Sequence, residues 1–243
     1  MRVKIYSLKI FAMITVQALI QEPEVLCYHS GLSRWFLVPE GAGYKPIKPS
    51  FLPKLNGIKI NGSWIQCVIS TCSFYDIHTT NADAVFANFL FYPGKEKPGK
   101  ILQLTRKPVI ISVPHIFVSK PGLQKIATEL ENSGAAGLYT GPYFPVSELK
   151  KICSSCSVPV FSFSGTKTEE IKFKVNSGIF ALCFSAKNIT KSLITEVRNL
   201  FPAIKIVAVC GRSEKFIAKF RDYGIDAIFF KPCVPYKMDW GNF

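Results

Sequence analysis

The sequence lacks the features by which several classes of protein are recognised. It contains no apolar run of about 20 residues, the length that a membrane-spanning helix requires, so no membrane span is predicted. Its lysines are spread over every segment, and no block of five or more like charges marks a nucleic-acid-binding tail. It also has no stripe of alternating aromatic and basic residues suited to single strands. Nucleic acid is therefore not expected as a partner.

Acidic residues are scarce, with 16 Asp and Glu against 30 Lys and Arg, which gives a formal net charge of +14. Two interpretations of this excess positive charge stay open. It forms either a solvated basic surface or an electropositive cleft for a small anionic metabolite. The charge alone does not choose between them.

The eight cysteines form no disulfide framework that the sequence reveals. Most lie in apolar runs, as Cys183 and Cys210 do, where a thiol behaves as a small buried hydrophobe; this usage predicts a reducing compartment. Cys153-Ser-Ser-Cys156 is a single C-x-x-C pair with no second pair or histidine beside it. Neither a zinc site nor redox chemistry is predicted there, and no metal or cofactor is expected.

The N-terminus has a basic start, residues 1–4, and an apolar stretch over residues 10–20, which together have the outline of a signal peptide. Gln17 interrupts the stretch, and no small-x-small cleavage site follows it. A cytoplasmic protein is therefore predicted, with secretion as the alternative. In a cytoplasmic protein the same residues predict a strand over 3–10 and a short buried helix near 10–21.

Short apolar runs recur at regular intervals in the second half of the chain. Each has about six residues, is rich in Val, Ile and Phe, and is apolar on both alternating faces, which indicates strands covered on both sides of a parallel sheet. The runs are Pro108–Val113, Ala135–Thr140, Val158–Phe163, Ile179–Phe184, Ile204–Cys210 and Ile225–Phe230.

The segments between the runs carry helix signals. Gly122–Leu130 has an apolar face at helical spacing, Thr166–Ile171 begins with a capping-box pattern, and Ser213-Glu214 opens a further helix. The expected stops are Asn-Ser-Gly at 132–134 and at 176–178, and Tyr-Gly at 223–224.

Alternating strands and helices build either a closed barrel or an open, doubly wound sheet. An open sheet of the dinucleotide-binding type usually carries a glycine-rich phosphate loop, and no G-x-G-x-x-G occurs in this sequence. A parallel (β/α)8 TIM-like barrel in a single domain over residues 1–243 is therefore predicted. Residues 81–89 repeat the pattern of 224–230 and give a seventh strand, while Ile65–Thr71 and Val25–Ser30 compete as the eighth.

Two regions depart from this repeat. Residues 31–63 are rich in Pro and Gly and predict a long irregular insertion, although Gly57–Gln66 has the pattern of a hairpin with an Asn61-Gly62 turn. After Phe230 the chain is too short and too rich in proline for an outer helix. The last helix is therefore predicted to be missing or truncated.

The C-terminal part of the sequence contains motifs that resemble those of a known group of barrels. Phe184–Asn188 with Phe201-Pro202, then Val209–Glu214, then Gly224–Ile228 resemble the closing units of phosphate-binding barrels of the class I aldolase type and related lyases and isomerases. These motifs are shared across that superfamily, and none identifies one member. The resemblance implies an active site at the C-terminal ends of the strands and a small phosphorylated or carboxylated metabolite as the partner.

Polar and basic residues stand at or after the ends of the predicted strands: Asn88, His115, Thr140, Ser164, Lys187, Arg212 and Lys231. His115 is a candidate acid or base near neutral pH; the alternative is a loop histidine bonded to the backbone. Lys187 and Lys231 are candidates for a nucleophilic amine or an electrostatic group, and the alternative for both is a surface lysine.

Two strand-to-helix loops share an order of Gly, then Ser or Thr, then Glu. They are Ser164-Gly165-Thr166 and Gly211-Arg212-Ser213, each followed by glutamate. Free backbone N–H groups at the start of a helix suit a phosphate or carboxylate, and Lys167 or Arg212 would add positive charge. Both loops are predicted anion sites, although ordinary helix capping explains the same residues.

No carboxylate follows a predicted strand, because Asp83 and Asp226 precede theirs and so belong to the opposite face of the barrel. A two-carboxylate glycosidase and a magnesium site of the enolase type are therefore not predicted. Two functions stay open: a lyase or isomerase that acts on a small anionic metabolite, and a barrel that binds anions or has a structural role without catalysis.

Overall fold

In the part of the chain that the structure describes, strands and helices alternate from residue 109 onward, as the sequence predicts. The computed structural model describes residues 24–29, 34–39, 55–71, 81–88, 102, 105–113, 122–142, 144–210 and 217–230. The strands are β1 (Glu24–His29), β2 (Arg34–Pro39), β3 (Ile58–Ile60), β4 (Ser63–Ile65), β5 (Cys67–Thr71), β6 (Ala84–Asn88), β7 (Val109–Val113), β8 (Gly137–Thr140), β9 (Val160–Phe163), β10 (Ala181–Ser185), β11 (Lys205–Cys210) and β12 (Ala227–Phe230). The helices are α1 (Leu123–Asn132), α2 (Val146–Ser155), α3 (Thr168–Asn176), α4 (Lys191–Leu200) and α5 (Ile217–Tyr223), with a 3-10 helix at Ala186–Asn188.

A closed barrel is formed by β5 to β12. Within the described residues, these eight parallel strands pair in the order β10-β11-β12-β5-β6-β7-β8-β9, and β9 pairs in turn with β10. The ring closes where the last strand meets the first, with Phe229 of β12 opposite Val68 of β5. The predicted parallel (β/α)8 barrel is confirmed, and every predicted apolar run overlaps one of its strands; β10 extends one residue beyond its predicted run, to Ser185.

The first barrel strand is β5, which lies within the candidate Ile65–Thr71. The competing candidate Val25–Ser30 falls mostly in β1, which pairs antiparallel with β2 in a separate sheet. The structure thus corrects the prediction of an irregular insertion over 31–63, because β2 lies inside that range; β3 belongs to the hairpin predicted at Gly57–Gln66. The run Arg34–Pro39 is rich in residues that favour strands, a signal hidden by the many prolines around it.

The predicted helix stops and the predicted hairpin turn are confirmed. Gly134 and Gly178 have positive φ angles of 98° and 89° directly after α1 and α3. Asn61 and Gly62 also have positive φ, as the tight turn between β3 and β4 requires. No helix among the described residues combines the length and apolarity needed to cross a bilayer.

Some predictions concern residues that the structure does not describe. The strand over 3–10, the helix near 10–21 and the shortened end after Phe230 all lie outside the described residues. The organisation of the whole chain as one domain stays a prediction.

The barrel interior is filled by side chains in layers of four from alternate strands. Successive strand residues face opposite sides, and the inner face belongs to a separate cluster from the one that packs under the helices. From the N-terminal end, the layers are Ala84, Gly137, Ala181 and Ala227, then Val68, Ile110, Phe161 and Val207, then Phe86, Tyr139, Cys183 and Phe229. We call the third of these layers the aromatic floor, because the mouth of the barrel lies above it.

The N-terminal end of the barrel is closed by the β3–β4 hairpin. Ile58, Ile60 and Ile65 are buried and belong to the same inner cluster as the first layer. Small residues suit that layer because larger rings and the hairpin occupy the space. A Cβ at Gly137, for example, would lie 3.0 Å from Cε2 of Phe161. Among the described residues, the hairpin therefore covers the N-terminal end of the interior.

Two carboxylates join neighbouring elements at this N-terminal end, where the sequence predicts a stabilising role for them. Asp83 accepts hydrogen bonds from the backbone N–H groups of Gln66 and Cys67 at 3.0 and 2.9 Å. Asp226 is buried, accepts from the N–H of Ile206 at 2.7 Å, and lies 2.6 Å from a guanidinium nitrogen of Arg198. Arg198 also donates to the carbonyl of Gly224.

Replacement of Asp226 by alanine is expected to destabilise the fold by about 3 kcal/mol, because removing one partner of a buried pair leaves the other without compensation. Urea denaturation would measure the change in the free energy of unfolding. Asp222→Ala is the matched control, since Asp222 is exposed and its ion pair with Arg221 lies on the surface. A loss for Asp226→Ala no larger than for the control would contradict this role.

Candidate functional site

The mouth of the barrel is the candidate site, because parallel pairing brings the C-terminal ends of all eight strands to one rim. The predicted residues His115, Gly211, Arg212, Ser213 and Lys231 follow β7, β11 and β12 in the chain but lie outside the described residues. Of the predicted site residues, the structure places Lys187 and the loop Ser164-Gly165-Thr166. Whether the predicted residues meet in one pocket stays a prediction.

Lys187 stands on the 3-10 helix directly after β10 and is exposed. A nucleophilic amine needs surroundings dry enough to keep it neutral, and this position does not supply them. An exposed lysine at the rim can still attract an anion toward the mouth. The position thus fits the electrostatic role better than the covalent one.

The donors of the Ser164–Thr166 loop are engaged by a carboxylate of the chain itself. Oε1 of Glu170 accepts a hydrogen bond from the backbone N–H of Gly165 at 3.0 Å and lies 3.5 Å from Oγ of Ser164. Nζ of the buried Lys174 is 2.8 Å from the same oxygen and also donates to the carbonyl of Phe163. The loop therefore binds an internal anion, and an external anion at Gly165 would have to displace it.

This contact also corrects the predicted capping box at Thr166. The N-cap of α3 is Lys167, and no side chain caps the helix there. Instead Glu170, in the first turn of the helix, reaches back to Gly165. A Cβ at Gly165 would stand 2.6 Å from Oε2 of Glu170, so glycine is needed for this approach.

Glu170 is charged when the protein is folded. Partial burial by itself would raise the pKa of Glu170, but hydrogen bonds from Lys174 and from the N–H of Gly165, with the charge of Lys174, lower it below the ordinary 4.5. The ion pair between Glu170 and Lys174 holds the loop between β9 and α3 against α3. The part of the rim that follows β9 is therefore held in place by contacts within the chain.

Thr140, another predicted strand-end residue, is buried and faces the helices. Its hydroxyl donates to Oγ of Ser162 at 3.0 Å, and both residues belong to the outward face of their strands. Thr140 thus takes no part in lining the mouth.

Residues that sequence reasoning missed line the mouth from within. Ser112 and Ser185 are the inward residues that follow Ile110 and Cys183 on their strands, and Phe163 follows Phe161 in the same way. All three are partly exposed. The alternation of inward and outward residues along each strand could have identified these three residues. They were missed because the sequence analysis considered residues at or after the ends of the strands and not the inward residues within them.

Tyr139 is the polar residue at the centre of the aromatic floor. Its ring packs edge-on against Phe86, with ring centres 5.0 Å apart, and lies 6.2 Å from the ring of Phe229. Burial first, and the adjacent Cys183 thiol second, raise the pKa of Tyr139 well above its ordinary value. Tyr139 is therefore a neutral phenol, and burial likewise raises the pKa of Cys183 and keeps its thiol protonated.

Cys153 and Cys156 are free thiols at the end of α2, remote from the inner face. Burial raises their pKa values to about 12 and about 11, with smaller contributions from Cys156 on Cys153 and from Glu131 on Cys156. No cluster of three or more His, Cys, Asp or Glu suited to a metal ion occurs among the described residues. The pair packs against the outer core.

An open groove of about 730 Å³ lies elsewhere, between α3 and α4 on the outer surface. Lys172, Lys191 and Glu196 line it together with hydroxyl groups, and Glu196 accepts a hydrogen bond from Thr168 across it. None of the inward residues of the mouth contributes to this groove, so it is distinct from the candidate site.

Glu170→Gln is expected to change how stability depends on pH. Because the folded-state pKa of Glu170 is lowered, its contribution is complete above about pH 4.5 and is lost as the pH falls through the folded-state value. The difference in unfolding free energy between wild type and Glu170→Gln should therefore be largest near neutral pH and shrink in acid. Glu169→Gln, at an exposed neighbouring position, is the control. A difference that is constant from neutral pH to acid would contradict the ion pair.

Cys153 and Cys156 are expected to react slowly with iodoacetamide in the folded protein. Their pKa values are about 12 for Cys153 and about 11 for Cys156, against an ordinary 9.0. At pH 8 the thiolate fraction is therefore about 1000-fold lower for Cys153 and about 100-fold lower for Cys156 than for an ordinary cysteine. Peptide mapping after timed alkylation, with the unfolded protein as reference, measures this. Equal rates in the folded and unfolded protein would show a reactive pair instead.

Comparison with known proteins finds likeness in fold. No protein-family model matches the sequence, and no curated protein matches it significantly. A mandelate oxidase structure has a TM-score of 0.56 at 9% identity, with 73% of this chain and 68% of that chain covered. 3-Keto-L-gulonate-6-phosphate decarboxylase from Vibrio cholerae has a TM-score of 0.51 at 10% identity, with 69% of this chain and 87% of that chain covered. Dihydrodipicolinate synthase from Agrobacterium tumefaciens has a TM-score of 0.50 at 10% identity, with 69% of this chain and 70% of that chain covered. These likenesses establish that the chain has a TIM-barrel fold.

Proposed function

We propose that the protein is a barrel enzyme, a lyase or isomerase, that acts on a small phosphorylated or carboxylated metabolite at the C-terminal mouth. The observation that carries the proposal is the closed parallel barrel, which opens at one end onto inward hydroxyl groups and an uncharged floor. Catalysis in this fold takes place at that end. A decarboxylase of a sugar phosphate and a synthase are among the proteins of similar fold, which supports the reaction class.

The residues proposed to bind the substrate and to react with it all follow the C-terminal ends of barrel strands. Lys187 after β10, and Arg212 with Gly211 and Ser213 after β11, attract and bind the anionic group. His115 after β7 moves a proton, and Lys231 after β12 supplies the amine if the reaction is covalent. The excess of basic residues over the whole chain is compatible with an anionic substrate.

A second candidate, a barrel that binds anions or has a structural role without catalysis, is favoured by two observations. Glu170 already engages donors of the Ser164–Thr166 loop, which is one of the two predicted anion sites. A second supporting feature is that the carboxylates Asp83 and Asp226 hold the fold at the opposite end. Catalysis would then rest on few groups.

Borohydride trapping separates the two candidates. The protein is incubated with dihydroxyacetone phosphate or pyruvate, reduced with borohydride, and mapped by mass spectrometry. An adduct on Lys231 that Lys231→Arg abolishes supports the enzyme. Lys125→Arg, at an exposed lysine of α1, is the matched control.

The opposite result has its own signature. With no adduct on any lysine, thermal stabilisation by phosphate that survives the combined replacement of His115, Lys187 and Lys231 would favour the non-catalytic barrel. If the combined variant loses that stabilisation, the result would support an anion site that includes these residues and a function without a covalent lysine adduct.

A further inference from the structure

The aromatic floor, Phe86, Tyr139, Cys183 and Phe229, fixes which end of a ligand can enter the barrel. Neither it nor the described residues above it, Ser112, Phe163 and Val209, carry a formal charge. A phosphate or carboxylate placed there would lose its hydration without gaining a charged partner from the described residues of the inner face. The anionic group of a substrate therefore belongs at the rim, and its neutral end reaches the floor.

The side chains of Ser112 and Tyr139 provide two hydroxyl groups on the inner face of the barrel. Ser112 and Tyr139 are partners in the register of β7 and β8, on strands about 4.8 Å apart, and both face inward. Neither hydroxyl forms a hydrogen bond with any residue that the structure describes. Ser112 and Tyr139 are both partly exposed as whole residues. A ligand oxygen in the mouth would satisfy donors that the described residues leave unpaired.

The chemistry of these donors selects the kind of oxygen. The phenol of Tyr139 is neutral because burial raises its pKa, so it can donate a hydrogen bond throughout the physiological range. A carbonyl oxygen has two lone pairs and can accept from both hydroxyl groups. A ligand hydroxyl must also place its own hydrogen, and the surrounding rings and thiol are poor acceptors.

We infer that Tyr139 and Ser112 together bind the carbonyl oxygen of the substrate, which is an aldehyde or ketone carrying a phosphate or carboxylate at the rim. This inference rests on the proposed function and narrows its substrate class. In a lyase or isomerase reaction, negative charge develops on that oxygen, and two preorganised donors stabilise it. Tyr139 and Ser112 are then substrate-binding residues that the sequence did not reveal.

The test uses probe pairs that differ only in carbonyl against hydroxyl. Dihydroxyacetone phosphate is compared with sn-glycerol 3-phosphate, and pyruvate with L-lactate, by calorimetric titration of the full chain. Wild type should bind the carbonyl member more tightly. Tyr139→Phe should weaken carbonyl binding by about 3- to 10-fold, the effect of one neutral hydrogen bond, and leave hydroxyl binding unchanged.

A spectroscopic readout separates carbonyl binding from a general structural effect. The carbonyl stretch of 13C-labelled dihydroxyacetone phosphate should shift to lower frequency on binding to wild type. The shift should be smaller in Tyr139→Phe and in Ser112→Ala. Tyr223→Phe, the same replacement on α5 where Lys219 covers the ring, and Ser154→Ala on exposed α2 are the matched controls. If Tyr139→Phe does not fold, Ser112→Ala carries the test.

The failures are distinguishable. Equal binding of carbonyl and hydroxyl probes, or an unchanged frequency shift in both mouth variants, would overturn the inference while the proposed anion site stands. Binding of none of the four probes to wild type would contradict the proposed function, and the inference would fall with it.

Discussion

The pairing of β12 with β5 is the contact on which the rest of the structure depends. Phe229 opposite Val68 closes the sheet, and a closed sheet has no free edge and an interior of fixed width. That width must be filled by side chains, which explains the successive layers and the alanines above the β3–β4 hairpin. Because the eight paired strands are parallel, closure also brings their C-terminal ends to one rim, the end at which active sites of this fold lie.

The two ends of the barrel differ in where their charged side chains lie. At the N-terminal end, Asp83 and Asp226 satisfy backbone N–H groups and, for Asp226, the guanidinium of Arg198. At the mouth, the described inner face is uncharged, and the nearest ion pair, Glu170 with Lys174, lies outside the strands. Stability is thus supplied by charges kept away from the space that a substrate would occupy, where neutral donors such as Tyr139 can act.

Several features of the fold were predictable because each depends on local pattern. Apolar runs that repeat at regular spacing predicted the strands, and glycines at 134 and 178 predicted the ends of helices, since few other residues adopt positive φ. Asn61-Gly62 predicted a hairpin for the same reason. The strand Arg34–Pro39 was missed because the prolines and glycines around it hid a short run of strand-forming residues.

The sequence by itself determined the order of strands and helices and the placement of Asp83 and Asp226 before their strands, because both follow from local spacing. Only the tertiary structure decided which residues face the interior together. Phe86, Tyr139, Cys183 and Phe229 are distant in sequence and become one layer through strand tilt and register, which no local pattern specifies. Likewise, only the fold brings Glu170 and Lys174 to Gly165, because one turn of helix must first bring their side chains back over the loop.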